Sequence, residues 1–247
     1  MKFSYFCGRQ ILLYMSKQET KKDETIVDVQ RVYSNAEMFL EKNRKALSIS
    51  LGAIALILGG FFAYQFLYKK PKEAEASNSI IKADLWVESD SLELAVNGNA
   101  DFEGYEAIAE KYGNTNVGKR AHFWTGVYYR DVKADYATAL EHFKKADFDD
   151  EAVGVTVIGN IGDMNIMLGN IEDGASWLEK AAKRANSSAS RDYTGPLYNL
   201  KAAKAYIEIN KNDKAVNLLQ FVVDNYDKKS PEYGESEKLL AYLKAME

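Results

Sequence analysis

Apolar and polar positions divide the 247-residue chain into three parts. Residues 46–68 carry no charged side chain, whereas the apolar residues before and after them recur at helical spacing among charged ones. As a helix, residues 46–68 would be about 34 Å long, enough to cross a hydrocarbon core of about 30 Å. Arg44 and Lys45 precede this segment, and Lys69 and Lys70 follow it. These features predict one transmembrane helix, and a helix buried in a soluble core is the alternative.

The chain before this segment is polar and charged. Residues 1–24 are predicted to be a disordered tail, in which Met15 is a candidate start that would make residues 1–14 an upstream extension. Within residues 25–45, apolar side chains recur at alternating spacings of three and four: Ile26, Val29, Tyr33, Ala36 and Leu40. This stripe predicts an amphipathic helix next to the membrane, which either pairs as a short coiled coil or lies on the membrane surface.

The distribution of charge indicates an orientation. Basic residues close to the two ends of the apolar segment are equal in number and do not orient it. Lys17, Lys21 and Lys22 in the tail favour a cytoplasmic N-terminus, which would place the C-terminal domain outside the cytoplasm. That domain has more acidic than basic residues and would repel a phosphate backbone, so nucleic acid is not an expected partner.

Small residues recur at two equivalent positions in the C-terminal part of the chain. Gly126, Gly162 and Ala203 are 36 and 41 residues apart, and Ala139, Gly174 and Ala215 are 35 and 41 apart. The first segment carries one extra residue before Tyr136. Small residues at facing positions allow paired helices to approach closely, and the pattern resembles the tetratricopeptide repeat (TPR), a helix–turn–helix unit of 34 residues. An unrelated helical bundle is the alternative.

The predicted fold is all-α, with one transmembrane helix followed by a TPR-like α-solenoid of about nine helices. A linker is expected at residues 69–78 and the repeat domain at 79–247. Helices are expected over residues 80–96 and 102–112 before the first clear repeat. Residues 231–245 are expected to form a C-terminal capping helix with one apolar face: Tyr233, Ser236, Leu240 and Leu243.

No pattern in the sequence indicates catalysis, a metal or a cofactor. The single cysteine, Cys7, lies before the predicted domain. His122 and His142 lack metal-ligand spacing and are expected to be packing or surface histidines. The acidic residues 147–151 lack the glycine and the spacing of a calcium loop and are expected to cap the next helix. We therefore predict a non-enzymatic chain.

The charged tail, single membrane helix, short linker and degenerate TPR domain together resemble the YfgM-type ancillary subunits of the bacterial Sec translocon. The resemblance covers roughly residues 17–247 and includes the segment 110–121 ahead of the first repeat. It implies an inner-membrane anchor, a periplasmic TPR domain, and contacts with translocon subunits, periplasmic chaperones or unfolded clients. Other anchored TPR proteins share this layout, so a self-associating organiser of envelope assembly or cell division is the alternative.

In TPR domains, the first helix of each pair usually lines the concave face. This rule gives ten candidate partner-binding residues: Arg120, Phe123, Val127, Arg130, Asp163, Ile166, Met167, Lys204, Ile207 and Glu208. Methionine and aromatic side chains suit adaptable apolar contacts, and arginine suits carboxylates. The alternative is that these side chains pack between helices or face solvent. Reversing the charge of Arg130 or Lys204 is expected to weaken partner capture without unfolding the domain.

Overall fold

The computed structural model describes the backbone of residues 6–246 and the side chains of residues 33, 34 and 37–246. In that range the chain has one long apolar N-terminal helix followed by sequentially packed helices. It divides between Gln65 and Phe66 into two compact units. Several side chains on which the sequence predictions depend lie outside the described residues: Cys7, Met15, Lys17, Lys21, Lys22, Ile26, Val29 and Ala36.

The first unit consists of helix α1, Phe6–Ala63, and the start of a π-helical turn, Tyr64–Lys69. The backbone is helical from Phe6 onward. This helix includes most of residues 1–24, which the composition predicted to be disordered. Lysine, glutamate and glutamine residues in that segment have high helix propensity. Apolar side chains of α1 are exposed, with Leu56 79% and Ile57 70% accessible. Within the described part of the chain, one helix is long and apolar enough to cross a membrane.

The second unit contains ten α-helices, where the sequence predicted about nine. Their bounds are α2 Lys70–Glu88, α3 Leu92–Asn97, α4 Tyr105–Tyr112, α5 Asn116–Asp131, α6 Tyr136–Lys145, α7 Val153–Met167, α8 Ile171–Asn186, α9 Arg191–Glu208, α10 Asn212–Asn225 and α11 Pro231–Lys244. Two short antiparallel strands, β1 Gly98–Asn99 and β2 Phe102–Glu103, form a hairpin between α3 and α4.

The start of this unit differs from the sequence prediction. Most of residues 69–78, predicted to be a linker, lie in α2, where Ala76 is fully buried. The helix predicted over residues 80–96 is interrupted at Asp90, which has a φ of 57° and ends α2. Beyond it, the amide of Ser91 donates to the carbonyl of Trp86, as in a Schellman helix end. The additional helix, α3, follows this break.

The turns within the three helix pairs α5/α6, α7/α8 and α9/α10 each contain a left-handed residue. A residue with positive φ follows the first helix of each pair: Ala134 at 51°, Gly169 at 82° and Asn210 at 56°. In the second and third pairs, the next amide donates to the carbonyl five residues earlier. In the first pair, the amide of Asp135 donates to the carbonyl of Tyr129, which is six residues earlier instead of five. The extra residue predicted in the first repeat therefore lies at the end of α5.

The small residues predicted at the helix contacts are all buried where paired helices meet: Gly126, Ala139, Gly162, Gly174, Ala203 and Ala215. In the second pair, the backbones of the two helices approach closely. A Cβ atom added to Gly174 would lie 2.9 Å from the carbonyl oxygen of Gly162 and 2.5 Å from Cγ1 of Ile166. Such distances are shorter than carbon atoms tolerate, so the spacing of α7 and α8 depends on glycine.

Gly174→Ala is expected to lower the free energy of unfolding by about 2 kcal/mol, because the backbone of α7 must move to accept the methyl group. The matched control is Gly234→Ala in α11, where an added Cβ has no atom within 4 Å. There the better helix propensity of alanine is expected to raise stability by up to about 1 kcal/mol. Urea unfolding of the full chain in detergent, followed by circular dichroism, measures both. A similar gain at the two positions would contradict the close approach of the helices.

The helices stack in chain order. Each helix from α4 to α11 packs against the next, and α7 and α11 also contact α9, so alternate helices form one layer. The last helix, α11, buries its predicted face: Tyr233, Ser236, Leu240 and Leu243. The predicted capping helix is thereby confirmed. Of the first helices of the pairs, α7 packs against α9, and a hydrogen bond from Arg130 to Asn160 links α5 to α7.

Candidate protein-binding face

The ten candidate residues lie on α5, α7 and α9 and differ in exposure. Met167, at 54%, is an exposed apolar side chain, and Glu208 is also exposed. Four apolar candidates are only partly accessible because they pack against the cores between the helices: Phe123, Val127, Ile166 and Ile207. Those four contribute mainly to helix packing, which was the alternative that the sequence left open.

Three of the five charged candidates, Arg120, Asp163 and Lys204, are joined to neighbouring helices by ion pairs. The guanidinium of Arg120 lies 2.6 Å from the carboxylate of Asp84 on α2. The carboxylate of Asp163 lies 2.6 Å from the ammonium of Lys201 on α9. The ammonium of Lys204 lies 2.6 Å from Glu235 on α11. Each of these pairs joins two neighbouring helices, and we call the three pairs together the charged ladder.

Arg130 is held more firmly than the other cations of the face. It is partly buried, and Nη1 donates to Oδ1 of Asn160 on α7 at 2.6 Å. Its Nε and Nη2 donate to the carboxylate of Asp131 at 2.6 and 2.7 Å. The Asp131 hydrogen bonds, with a further contribution from the charge of Asp163, raise the pKa of the Arg130 guanidinium. Arg130 therefore joins α5 to α7.

Sequence reasoning missed the second member of each pair in the ladder. Lys201 lies one helical turn before Lys204 and shares its face, so the same periodicity could have found it. Asn160, which accepts a hydrogen bond from Arg130 outside the ladder, precedes Asp163 by the same interval. Glu235 could not be found in this way, because its position depends on how α11 packs against α9.

No protein-family model matches the chain. A search of curated proteins likewise found no significant match.

His122 on α5 and His142 on α6 face each other within the first helix pair. Their Nδ1 atoms are 3.0 Å apart, so one ring donates a hydrogen bond to the other. The ring of Tyr129 stacks on His142, and its hydroxyl donates to Glu106 at 2.8 Å. Burial lowers the pKa of both histidines, and for His122 the pKa falls to about 4. The two rings are therefore neutral at pH 7 and pack between the helices.

The acidic segment before α7 acts as a helix cap. Oδ1 of Asp150 accepts hydrogen bonds from the amides of Ala152 at 2.8 Å and Val153 at 2.7 Å. These backbone hydrogen bonds, that from Val153 first, lower the pKa of Asp150. The expectation that residues 147–151 cap the next helix is confirmed.

Proposed function

We propose that this chain is a non-enzymatic scaffold, anchored in the bacterial inner membrane by one helix, that binds proteins through a periplasmic TPR domain. The stacked helix pairs, with small residues at equivalent contacts and a left-handed residue in the turn of each pair, support the repeat assignment. The charged ladder supports protein binding, and it is the observation on which the proposal mainly rests.

The properties of the apolar helix support a membrane anchor. Residues 46–68 carry no charge, and large side chains among them are solvent-accessible, up to 80% for Leu67. At the end of this segment, the ammonium of Lys70 lies 4.1 Å from the centroid of the Phe66 ring. Aromatic and lysine side chains side by side are typical of the membrane–water interface. The exposed apolar surface is what a lipid-facing helix requires.

The energetics of the charged ladder explain how a partner could bind to it. Each of its ion pairs is partly exposed, and such pairs contribute only about 0–1 kcal/mol to stability. A partner that brings its own charged groups can therefore replace Glu235 at Lys204 or Asp84 at Arg120 at little cost in stability. Met167 adds an adaptable apolar contact beside them.

The resemblance to YfgM-type subunits suggests the class of partner. We propose translocon subunits, periplasmic chaperones or unfolded chains that emerge from the translocon. The self-associating organiser of envelope assembly remains the second candidate, because Tyr33 and Leu40 in the predicted heptad stripe are exposed, at 73% and 56%. Crosslinking in membranes distinguishes the two, since it yields translocon proteins in one case and copies of the chain in the other.

The orientation is tested by fusing an alkaline phosphatase reporter after Glu247, with a matched fusion after Lys45 as the control. Alkaline phosphatase is active only where its disulfides form, outside the cytoplasm. We expect activity from the fusion after Glu247 and none from the fusion after Lys45, because the apolar segment lies between them. The opposite pattern would contradict the proposed periplasmic location.

A further inference from the structure

A cavity of about 570 Å³ lies at the start of the helical array, lined by residues of α2, α4, α5 and α6. This volume is within the range of small-ligand sites in proteins. The lining contains one carboxylate, Glu110, and four lysines: Lys72, Lys111, Lys119 and Lys145. Because acidic residues outnumber basic ones in the whole chain, this excess of positive charge is local and favours an anionic ligand.

Among the described side chains, three of the four lysines have no acidic partner, and one of these, Lys72, lies over the ring of Tyr68. Lys119 and Lys145 form no ion pair and no side-chain hydrogen bond with any residue whose side chain the structure describes. The ammonium of Lys111, by contrast, lies 3.5 Å from Glu103 and 3.7 Å from Glu75. The cavity therefore has two ammonium groups available to a ligand.

The glutamates of α2 near this cavity are engaged elsewhere. Glu73 accepts hydrogen bonds from the backbone amides of Asn116 at 2.9 Å and Val117 at 3.1 Å, and so caps the start of α5. Glu75 accepts a hydrogen bond from the hydroxyl of Tyr112 at 2.8 Å. Their carboxylates stabilise the helix contacts and do not pair with the two available lysines.

A buried imidazole completes the cavity wall. His122 is 6% exposed, and its Nδ1 is engaged with His142. Its Nε2 points toward Gly113, which also lines the cavity, and would lie 3.2 Å from a Cβ atom added there. Among the described side chains, nothing is hydrogen-bonded to this Nε2. When His142 donates to Nδ1 of His122, Nε2 carries the proton and can donate to a ligand.

Lys72 in the cavity lining follows the end of the apolar segment by four residues in the sequence. That segment ends at Tyr68, and four residues of helix advance by about 6 Å. The ammonium of Lys72 lies 5.5 Å from the centroid of the Tyr68 ring. Lipid head groups occupy a layer of about 5–7 Å on each side of the hydrocarbon core. If residues 46–68 span the membrane, Lys72 therefore lies at the depth of the head groups.

We propose that this cavity binds the phosphate group of an anionic phospholipid. The ammonium groups of Lys119 and Lys145 pair with the phosphate, and Nε2 of His122 donates a hydrogen bond to it. A zwitterionic lipid fits less well, because its head-group cation is repelled by the lysines. The inference rests on the proposed membrane anchor, since a detached domain would meet free phosphate and not lipid. It gives the anchored domain a second, lipid-specific contact with the membrane.

The test follows the imidazole NMR signals of the full chain in neutral detergent micelles, where His122 and His142 are the two histidines of the sequence. Phosphatidylglycerol, phosphatidylcholine and inorganic phosphate are added in separate titrations. Phosphatidylglycerol is expected to raise the pKa of His122 by about one unit, because a bound phosphate stabilises the imidazolium. Phosphatidylcholine is expected to leave it unchanged.

Variants then identify the lysines that bind. Replacing Lys119 and Lys145 together by glutamine is expected to weaken phosphatidylglycerol binding at least about tenfold. The matched control replaces Lys180 and Lys183 on α8, outside the cavity, and is expected to leave binding unchanged. Equal losses in the two variants would overturn the proposal, because they would reflect the overall charge of the chain.

The remaining outcomes distinguish a failure of phosphate binding in the cavity from a failure of membrane anchoring. A pKa of His122 that responds to neither phosphatidylglycerol nor inorganic phosphate would overturn the site. A response to inorganic phosphate alone would overturn the assignment to lipid. Flotation of the full chain with phosphatidylcholine vesicles measures anchoring independently, so a chain that does not insert is distinguished from a cavity that does not bind.

Discussion

Acidification from neutral pH to about pH 4 is expected to remove roughly 2–3 kcal/mol from the free energy of unfolding through the buried His122–His142 pair. The pKa of His122 falls from 6.5 to about 4 in the folded chain, because of burial first and then the charges of His142 and Lys145. The unfolded state therefore binds the proton at higher pH than the folded state does. The stabilisation is fully present above about pH 6.5 and is lost as the pH falls toward 4.

Urea unfolding of the full chain in phosphate-free buffer, across this pH range, measures the effect. Carboxylates also titrate in acid, so the control is a variant in which both His122 and His142 are replaced by glutamine. That variant is expected to keep the carboxylate contribution and to lose the histidine contribution, which gives a shallower fall in stability between pH 6.5 and 4. The same pH dependence in both proteins would show that the pair does not titrate as its burial requires.

Lys204→Glu is expected to weaken partner binding about tenfold while the domain stays folded. Lys204 and Glu235 form an ion pair in which both side chains are about half exposed, so its loss costs stability little. A partner carboxylate that binds at Lys204 would instead meet two negative charges. The yield of the crosslinked complex in membranes measures the change.

The matched control is Lys183→Glu, which breaks the 2.6 Å ion pair between Lys183 and Glu179. Both residues lie on α8, the second helix of its pair, and therefore outside the proposed binding face. It is expected to leave the yield unchanged, and an equal loss in both variants would count against the charged ladder.

Arg130→Glu is a poorer test than the sequence suggested. Its guanidinium is bonded to Asn160 and Asp131, so the reversal is expected to destabilise the domain itself.

The repeat could be predicted because it depends on local chemistry. The small residues at Gly162 and Gly174 are visible as spacings, and the structure shows why they are small: the α7 and α8 backbones meet there. The left-handed turn at Gly169 could be predicted from glycine. The equivalent Ala134 could not, because alanine gives no such signal and only its alignment with the other repeats identifies it.

Features that depend on packing between distant residues could not be predicted. Residues 72–78 read as a linker because their charged and small side chains carry no sign of what will cover them, yet Ala76 is buried in α2. The contact between His122 and His142 requires the geometry of the turn between α5 and α6. The basic cavity likewise gathers lysines from four helices, and their separations in the sequence carry no common period.

The central claim is that the face formed by α5, α7 and α9 binds a protein outside the cytoplasm. A photo-crosslinking amino acid at Met167, exposed at the end of α7, tests it most directly, with the same residue at Ser176 on α8 as the control. In intact membranes, we predict that position 167 crosslinks to a translocon subunit, a periplasmic chaperone or a secreted client, and that position 176 does not. Equal yields at the two positions, or products that contain only cytoplasmic proteins, would contradict the account.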